Sequence, residues 1–292
     1  MDAPRPDVRA ARSWLFVPGD RPDRFGKAMA SGADVVVLDL EDAVAEDAKA
    51  TARAEVTGWL TRGGAACVRV NAPGTPFADP DVAALAGLPG VVAVMVPKAE
   101  DPRVLAGLAE AVGPGTAVVA LVETALGMHR VHELAATPGV ARLAFGSIDL
   151  ALDLGAEDAA VPLLCARSAL VLASRVAGLP APVDGVTPVL DDPAVVQEAA
   201  ATAASLGFGG KLCVHPRQVD AVHTGFRPSE AKVRHARRVL ASVTEGVGQV
   251  DGQMVDTPVV ERARRVLRRS GDLDEGGLAG DPGPAPHDTR SA

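Results

Sequence analysis

Glu123 and Asp149 are the residues whose type and setting most invite chemistry. Each ends a short apolar run, in LVETALG and in FGSIDLALDLG, so each carboxylate stands where a strand stops. If the two strands are neighbours, both carboxylates overhang one opening. Hard divalent cations such as Mg²⁺ take one or two protein carboxylates and complete their octahedron with water and substrate oxygens. A second reading stands beside this one, in which each acid merely opens a helix, where the helix dipole favours negative charge. Arg69 ends another run, CVRV, where a guanidinium would either stabilise an anionic oxygen or complete a structural ion pair. Asp39-Leu40-Glu41-Asp42 closes a further run, and Asp39 and Asp42 are candidates for acid–base work. In VPGDRPDRFGK, Gly19 makes a turn and Arg21, Arg24 and Lys27 surround the start of a helix. They would suit phosphates or simply face water, since neither GxGxxG nor GxxxxGK[ST] is present.

Other chemistries lack their residues. The six histidines are dispersed. His129 and His132 share a predicted helix but lie three apart, without a third ligand, which fits a structural role better than zinc. The serines have no nucleophile elbow around them, so a hydrolase triad is not supported.

The elements that must position these residues repeat regularly. Eight strand-length runs occur: 13–17, 35–40, 67–70, 91–96, 117–122, 142–145, 182–186 and 211–214. They are almost continuously apolar, the pattern of strands buried on both faces of a parallel sheet. Helix-forming stretches separate them, at 22–31, 43–60, 79–88, 101–112, 126–136, 157–177 and 192–206, with 216–222 following the last run. Eight strands alternating with helices predict a (β/α)₈ TIM barrel over 12–226, whose active site gathers at the carboxyl ends of the strands. Two further helices, 229–242 and 258–269, exceed the barrel's needs and predict a C-terminal helical appendage over 227–270. Residues 1–11 read as a short disordered lead, and the Gly-, Pro- and Asp-rich 271–292 as a disordered tail.

Composition narrows the class. The 292 residues carry 29 Lys+Arg against 37 Asp+Glu, a net charge of −8, and 48% are hydrophobic. With 3% aromatics and no tyrosine, the chain lacks the basic footprint and stacking platforms of a nucleic-acid binder. No window approaches the ~20 apolar residues of a membrane span, and the amino terminus lacks the apolar core of a signal peptide. Cys67, Cys165 and Cys213 are widely spaced without a CxxC pair, and read as reduced, buried thiols of a cytoplasmic protein.

Taken together, RSWLFVPGDRPDRFGKA, DVVVLDLEDAV, VRVN, VPKAE, LVETALG, FGSIDLALDLG, GFGGKLCVHP and DGQMVDTPVVERARRVL resemble the citrate lyase beta-subunit-like family of CoA-ester lyases. The motifs run in that family's order from about Arg12 to Arg269. The resemblance places the barrel among the phosphoenolpyruvate/pyruvate-domain type, within the magnesium-dependent 2-oxo acid aldolases. It implies that Glu123 and Asp149 hold Mg²⁺, that Arg69 contacts the reacting oxygens, and that Phe16, Arg21 and Lys27 line the acyl-CoA site, with Arg69 and Glu123 also meeting substrate. It further implies a homo-oligomer, a trimer or hexamer, in which Asp256 gives an acid or base from the C-terminal segment of a neighbouring subunit. Asp256 reads equally as the N-cap of the helix that follows, with Pro258 in its first turn.

Two departures bear on the reaction. The branch acting on free pyruvate ends its second strand in Asp-x-Glu-His, whereas this chain has Asp42 in place of the histidine. Ser147-Ile148-Asp149 stands where many relatives carry an acid immediately before the metal aspartate, which alters the metal's surroundings. The expected reaction is carbon–carbon cleavage of a 3-hydroxyacyl-CoA bearing a carboxylate, of the citryl-, citramalyl-, malyl- or methylmalyl-CoA type, to a 2-oxo acid and acetyl-CoA or propionyl-CoA. The alternatives are a CoA-independent 2-oxo acid aldolase and the beta subunit of a multisubunit citrate lyase acting on an acyl-carrier-protein thioester.

Overall fold

The computed structural model describes residues 5–244 and 248–272, and within them the chain forms two compact units, one ending at Phe226 and the other beginning at Arg227. The first alternates strand and helix: β1 (Ser13–Pro18), α1 (Pro22–Met29), β2 (Val35–Asp39), α2 (Lys49–Thr61), β3 (Ala66–Arg69), α3 (Ala78–Leu85), β4 (Val91–Val96), α4 (Pro102–Val112) and β5 (Ala117–Val122). Two short helices, α5 (Ala125–His129) and α6 (Val131–Ala135), lead to β6 (Val140–Phe145), α7 (Ser147–Leu154), α8 (Leu164–Val176), β7 (Val183–Asp184), α9 (Pro193–Leu206), β8 (Gly210–Cys213) and α10 (Val219–Phe226). The eight strands are parallel neighbours in sequence order, and β8 pairs with β1 to close the barrel.

Period-two alternation explains why the runs are apolar throughout. Val35 and Val37 join Trp14, Cys67, Met95, Val119, Leu121 and Leu212 in the cluster that fills the barrel. Val36 and Leu38 point the other way and join Val68, Val94, Ala120 and Leu143 against the surrounding helices. Both faces of each strand are therefore buried, as a parallel barrel demands.

Several boundaries depart from the sequence reading. The stretch expected to be one helix over 157–177 begins only at Leu164, and the residues after Phe145 form a separate helix, α7, closed by Gly155 in the left-handed conformation. The 126–136 helix is broken into α5 and α6 at Arg130. The lead expected to be disordered is packed over 5–11: Val8 and Ala11 are buried, and Arg5 Nη2 donates to the carbonyls of Val91 (2.8 Å) and Gly115 (2.9 Å). The buried Arg142 ties that lead to the barrel floor, donating to the carbonyls of Val8, Ala11 and Ala181 beneath the Trp14 ring. Cys67 and Cys213 are buried free thiols as expected, but Cys165 is exposed on α8.

The second unit contains α11 (Glu230–Thr244), a two-stranded ribbon of β9 (Gln249–Val250) and β10 (Gln253–Met254), and α12 (Thr257–Ser270). Ala236 and Val239 of α11 pack with Ala263 and Leu267 of α12 in its own small core. The expected tail lies outside the described residues from 273 onward.

Candidate active site

Phe16, Asp39, Asp42, Arg69, Glu123 and Asp149 all line one cavity of about 390 Å³ at the carboxyl ends of the strands. They arrive there from five βα junctions, Asp39 and Asp42 sharing the one after β2, because a parallel barrel delivers every strand end to the same rim. Apolar side chains, among them Leu121, Val186 and Leu212, form the rest of the wall.

Arg69 is the centre of the charge network. Its Nε and Nη2 donate to the two oxygens of Asp39 at 2.7 and 2.6 Å, and Nη1 lies 3.0 Å from both Asp42 Oδ2 and Glu41 Oε2. Asp39 also accepts the backbone N–H groups of Glu41 and Ala43, so both of its oxygens are fully engaged. Burial works against the Arg69 charge, but Asp39, Glu41 and Asp42 outweigh it and raise its pKa, so the guanidinium stays protonated. The Phe16 ring lies 4.8 Å from the guanidinium carbon, a cation–π contact that fixes its plane. Asp42 is more than half exposed, and Arg69 outweighs its partial burial to keep its carboxyl below the usual range. Glu41 is shifted the opposite way, upward, by burial and by Asp42 beside it.

Glu123 and Asp149 line the same cavity, and Gly146 packs against Glu123. Glu123 is buried and takes the backbone N–H of Lys98 on Oε1 at 2.8 Å. Lys98 reaches that position in a left-handed conformation, φ 46°. Gly146 leaves the space at the other oxygen, since a Cβ there would stand 2.3 Å from Glu123 Oε2. Burial, with Asp149 adding to it, pushes the Glu123 carboxyl up to about 8. The Lys98 ammonium bridges Glu41 Oε1 at 3.0 Å and Asp149 Oδ2 at 3.6 Å, and those acids raise its own pKa against the effect of burial.

This donor set fits a hard divalent cation. It offers two carboxylates and no soft ligand, and a buried carboxyl that is costly to ionise alone is relieved by a neighbouring cation. Among the described residues no three His, Cys, Asp or Glu side chains converge as a ready-made cage. Two protein ligands would leave the remaining positions to water and substrate oxygens, as Mg²⁺ prefers.

Not every candidate reaches the cavity. Arg21 and Lys27 are exposed on and beside α1 and do not line it; Arg21 pairs with Asp23 at 3.0 Å. Asp256 lies in the second unit, where its carboxylate accepts the Val259 N–H at 3.1 Å and caps α12. Lys98 and Glu41 were not singled out by type, yet both join the network. Their signal was position alone, since VPKAE and DLEDAV each end a strand run.

A family model described as HpcH/HpaI aldolase/citrate lyase matches residues 12–216. A citrate lyase subunit beta-like protein of Mycobacterium tuberculosis is 40% identical over 276 residues, covering 91% of this chain and 98% of the relative. An L-malyl-CoA/beta-methylmalyl-CoA lyase of Cereibacter sphaeroides is 32% identical, covering 91% of this chain and 96% of its own. Among solved structures, CitE of Mycobacterium tuberculosis in complex with magnesium, acetoacetate and coenzyme A superposes with a TM-score of 0.81 at 40% identity, over 90% of this chain and 100% of the neighbour.

Proposed function

This chain belongs to the HpcH/HpaI aldolase/citrate lyase family, and we propose that it is a Mg²⁺-dependent carbon–carbon lyase that cleaves a carboxylated 3-hydroxyacyl-CoA to a 2-oxo acid and acetyl-CoA or propionyl-CoA. The observation that carries this reading is the Glu123–Asp149 pair set beside Arg69 in one barrel-mouth cavity. The relative that acts on malyl-CoA thioesters and the neighbour crystallised with magnesium and coenzyme A support it.

Mg²⁺ held by Glu123 and Asp149 would supply Lewis-acid polarisation of the substrate's carboxylate and adjacent oxygen. The chain's own residues divide the rest. Arg69 donates three of its N–H groups to Asp39 and Asp42 and pairs electrostatically with Glu41, which leaves N–H capacity on its terminal nitrogens for a substrate oxygen. Asp39 is saturated with hydrogen bonds and so positions Arg69. Asp42 lines the cavity, stays ionised and is more open than Asp39, which suits it to accept the hydroxyl proton whose loss drives bond scission. Cleavage leaves a thioester enolate that needs a proton, and Asp256 is the proposed donor. Phe16 would pack against the acyl thioester, while Arg21 and Lys27, both exposed, would meet the phosphates of coenzyme A.

The working protein is proposed to be a cytoplasmic homo-oligomer, a trimer or hexamer. Leu152 of α7 and Val161 are more than four-fifths exposed, and Leu172 and Val176 of α8 are also open, more apolar surface than a lone barrel needs. The three free cysteines suit a reducing compartment. Among the described residues no helix is long and apolar enough to cross a membrane.

A panel of acyl-CoA thioesters, assayed for release of 2-oxo acid beside free 4-hydroxy-2-oxo acids, tests the reading. Turnover of malyl-, citramalyl- or citryl-type thioesters is expected. Cleavage of the free acids alone would overturn the assignment to CoA esters.

A further inference from the structure

Ser147 is the first residue of α7 and is 98% buried, with a relative exposure of 2%. Its side chain lines the cavity, yet its hydroxyl makes no hydrogen bond to any described residue. A buried serine on a helix ordinarily bonds a carbonyl one turn back or caps the helix start. Here it does neither, and α7 begins at Gly146 without any side-chain cap. By contrast Asp101, Thr124, Asp192 and Asp256 each cap the helices they precede.

The surroundings specify what the hydroxyl awaits. Gly146 on one side adjoins the Glu123 carboxylate, and Asp149 lies two residues on. On the other side Gly185 leaves the space the hydroxyl occupies, since a Cβ there would come within 2.6 Å of Ser147 Oγ. A donor held open at an uncapped helix start, next to a cation-binding pair, matches an anionic oxygen. Resting on the lyase reading above, we propose that Ser147 Oγ–H is a specificity-determining donor to the carboxylate of the 2-oxo acid half of the substrate. A hydroxyl that opens on the cavity without a protein partner discriminates against a ligand that fails to meet it. Ser147 thus reads the carboxylate itself, independently of the charge network around Arg69.

The test is Ser147→Ala in the full-length, Mg²⁺-loaded protein. Calorimetry with pyruvate and with glyoxylate should show binding weakened about 10- to 100-fold, the span for losing a hydrogen bond to a charged group. In the condensation direction with acetyl-CoA, KM for the 2-oxo acid should rise by a similar factor while kcat changes little. Thermal stability and Mg²⁺ affinity should match wild type, because the hydroxyl has no protein partner to lose. Binding within twofold of wild type would overturn the proposal, as would a parallel loss of metal affinity and stability, which marks a structural role. If wild type cleaves no thioester, the lyase reading falls, but pyruvate binding still judges Ser147. Wild type that binds neither 2-oxo acid would overturn the proposal as well.

Discussion

Glu123 carries a pH signature that belongs to the single residue. Burial lifts its carboxyl to about 8, so the folded protein without metal keeps it protonated where the unfolded chain has already ionised it. The folded state therefore binds more protons between the ordinary glutamate range, roughly 4.3, and about 8. That contribution to stability is fully present below the lower limit and is lost as pH rises through the upper one. The Tm of chelator-treated protein should accordingly fall as pH is raised from 5 to 9, and Glu123→Gln should remove most of that slope. Glu41, raised as well, would leave a remainder. An unchanged slope in the variant would mean that Glu123 is ionised in the metal-free fold. The residues with this chemistry were largely legible in the sequence, because Asp39, Arg69, Glu123 and Asp149 each terminate an apolar run. Lys98 was not, since its role depends on a left-handed backbone and on a bridge between acids of two other junctions.

Elements were legible where their pattern was periodic and obscure where it was not. The runs at 91–96 and 117–122 match β4 and β5 residue for residue, because both faces are apolar over their full length. β7 shrinks to Val183–Asp184, where Asp184 is a buried acid that Lys211 (3.0 Å) and Arg167 (3.2 Å) neutralise, which no periodicity announces. The lead over 5–11 looked disordered because its Pro and charged residues hide two buried anchors, Val8 and Ala11, and an arginine that bonds the carbonyls of Val91 and Gly115. At the start of α12 the cap is a fact of the structure, and the acid role of Asp256 is the proposal. Asparagine caps nearly as well as aspartate but gives up no proton. Asp256→Asn should therefore keep the wild-type Tm while turnover falls by roughly 10²–10⁴-fold, the span for a positioned acid. Near-normal turnover would leave Asp256 as a cap alone.

At the scale of the molecule, barrel closure turns scattered strand ends into a site. β8 pairs with β1, and residues as distant in sequence as Phe16 and Val214 come to line one cavity. The alternation of eight runs with helices foretold that closure, and with it the rim on which the acids meet. The breaks after Phe145 and at Arg130 were not foretold, because α7 follows a strand with only Gly146 between and α5 is a single five-residue piece. We propose above all that this rim holds a divalent cation on Glu123 and Asp149 and uses it to cleave an acyl-CoA. It is tested most directly by measuring 2-oxo acid release from malyl- or citramalyl-CoA by chelator-stripped protein, before and after Mg²⁺ is returned, in wild type and in Asp149→Asn. Negligible release from stripped wild type, recovery on adding Mg²⁺, and little recovery in the variant at the same concentration are expected. Full activity in stripped wild type, with no response to Mg²⁺, would contradict it.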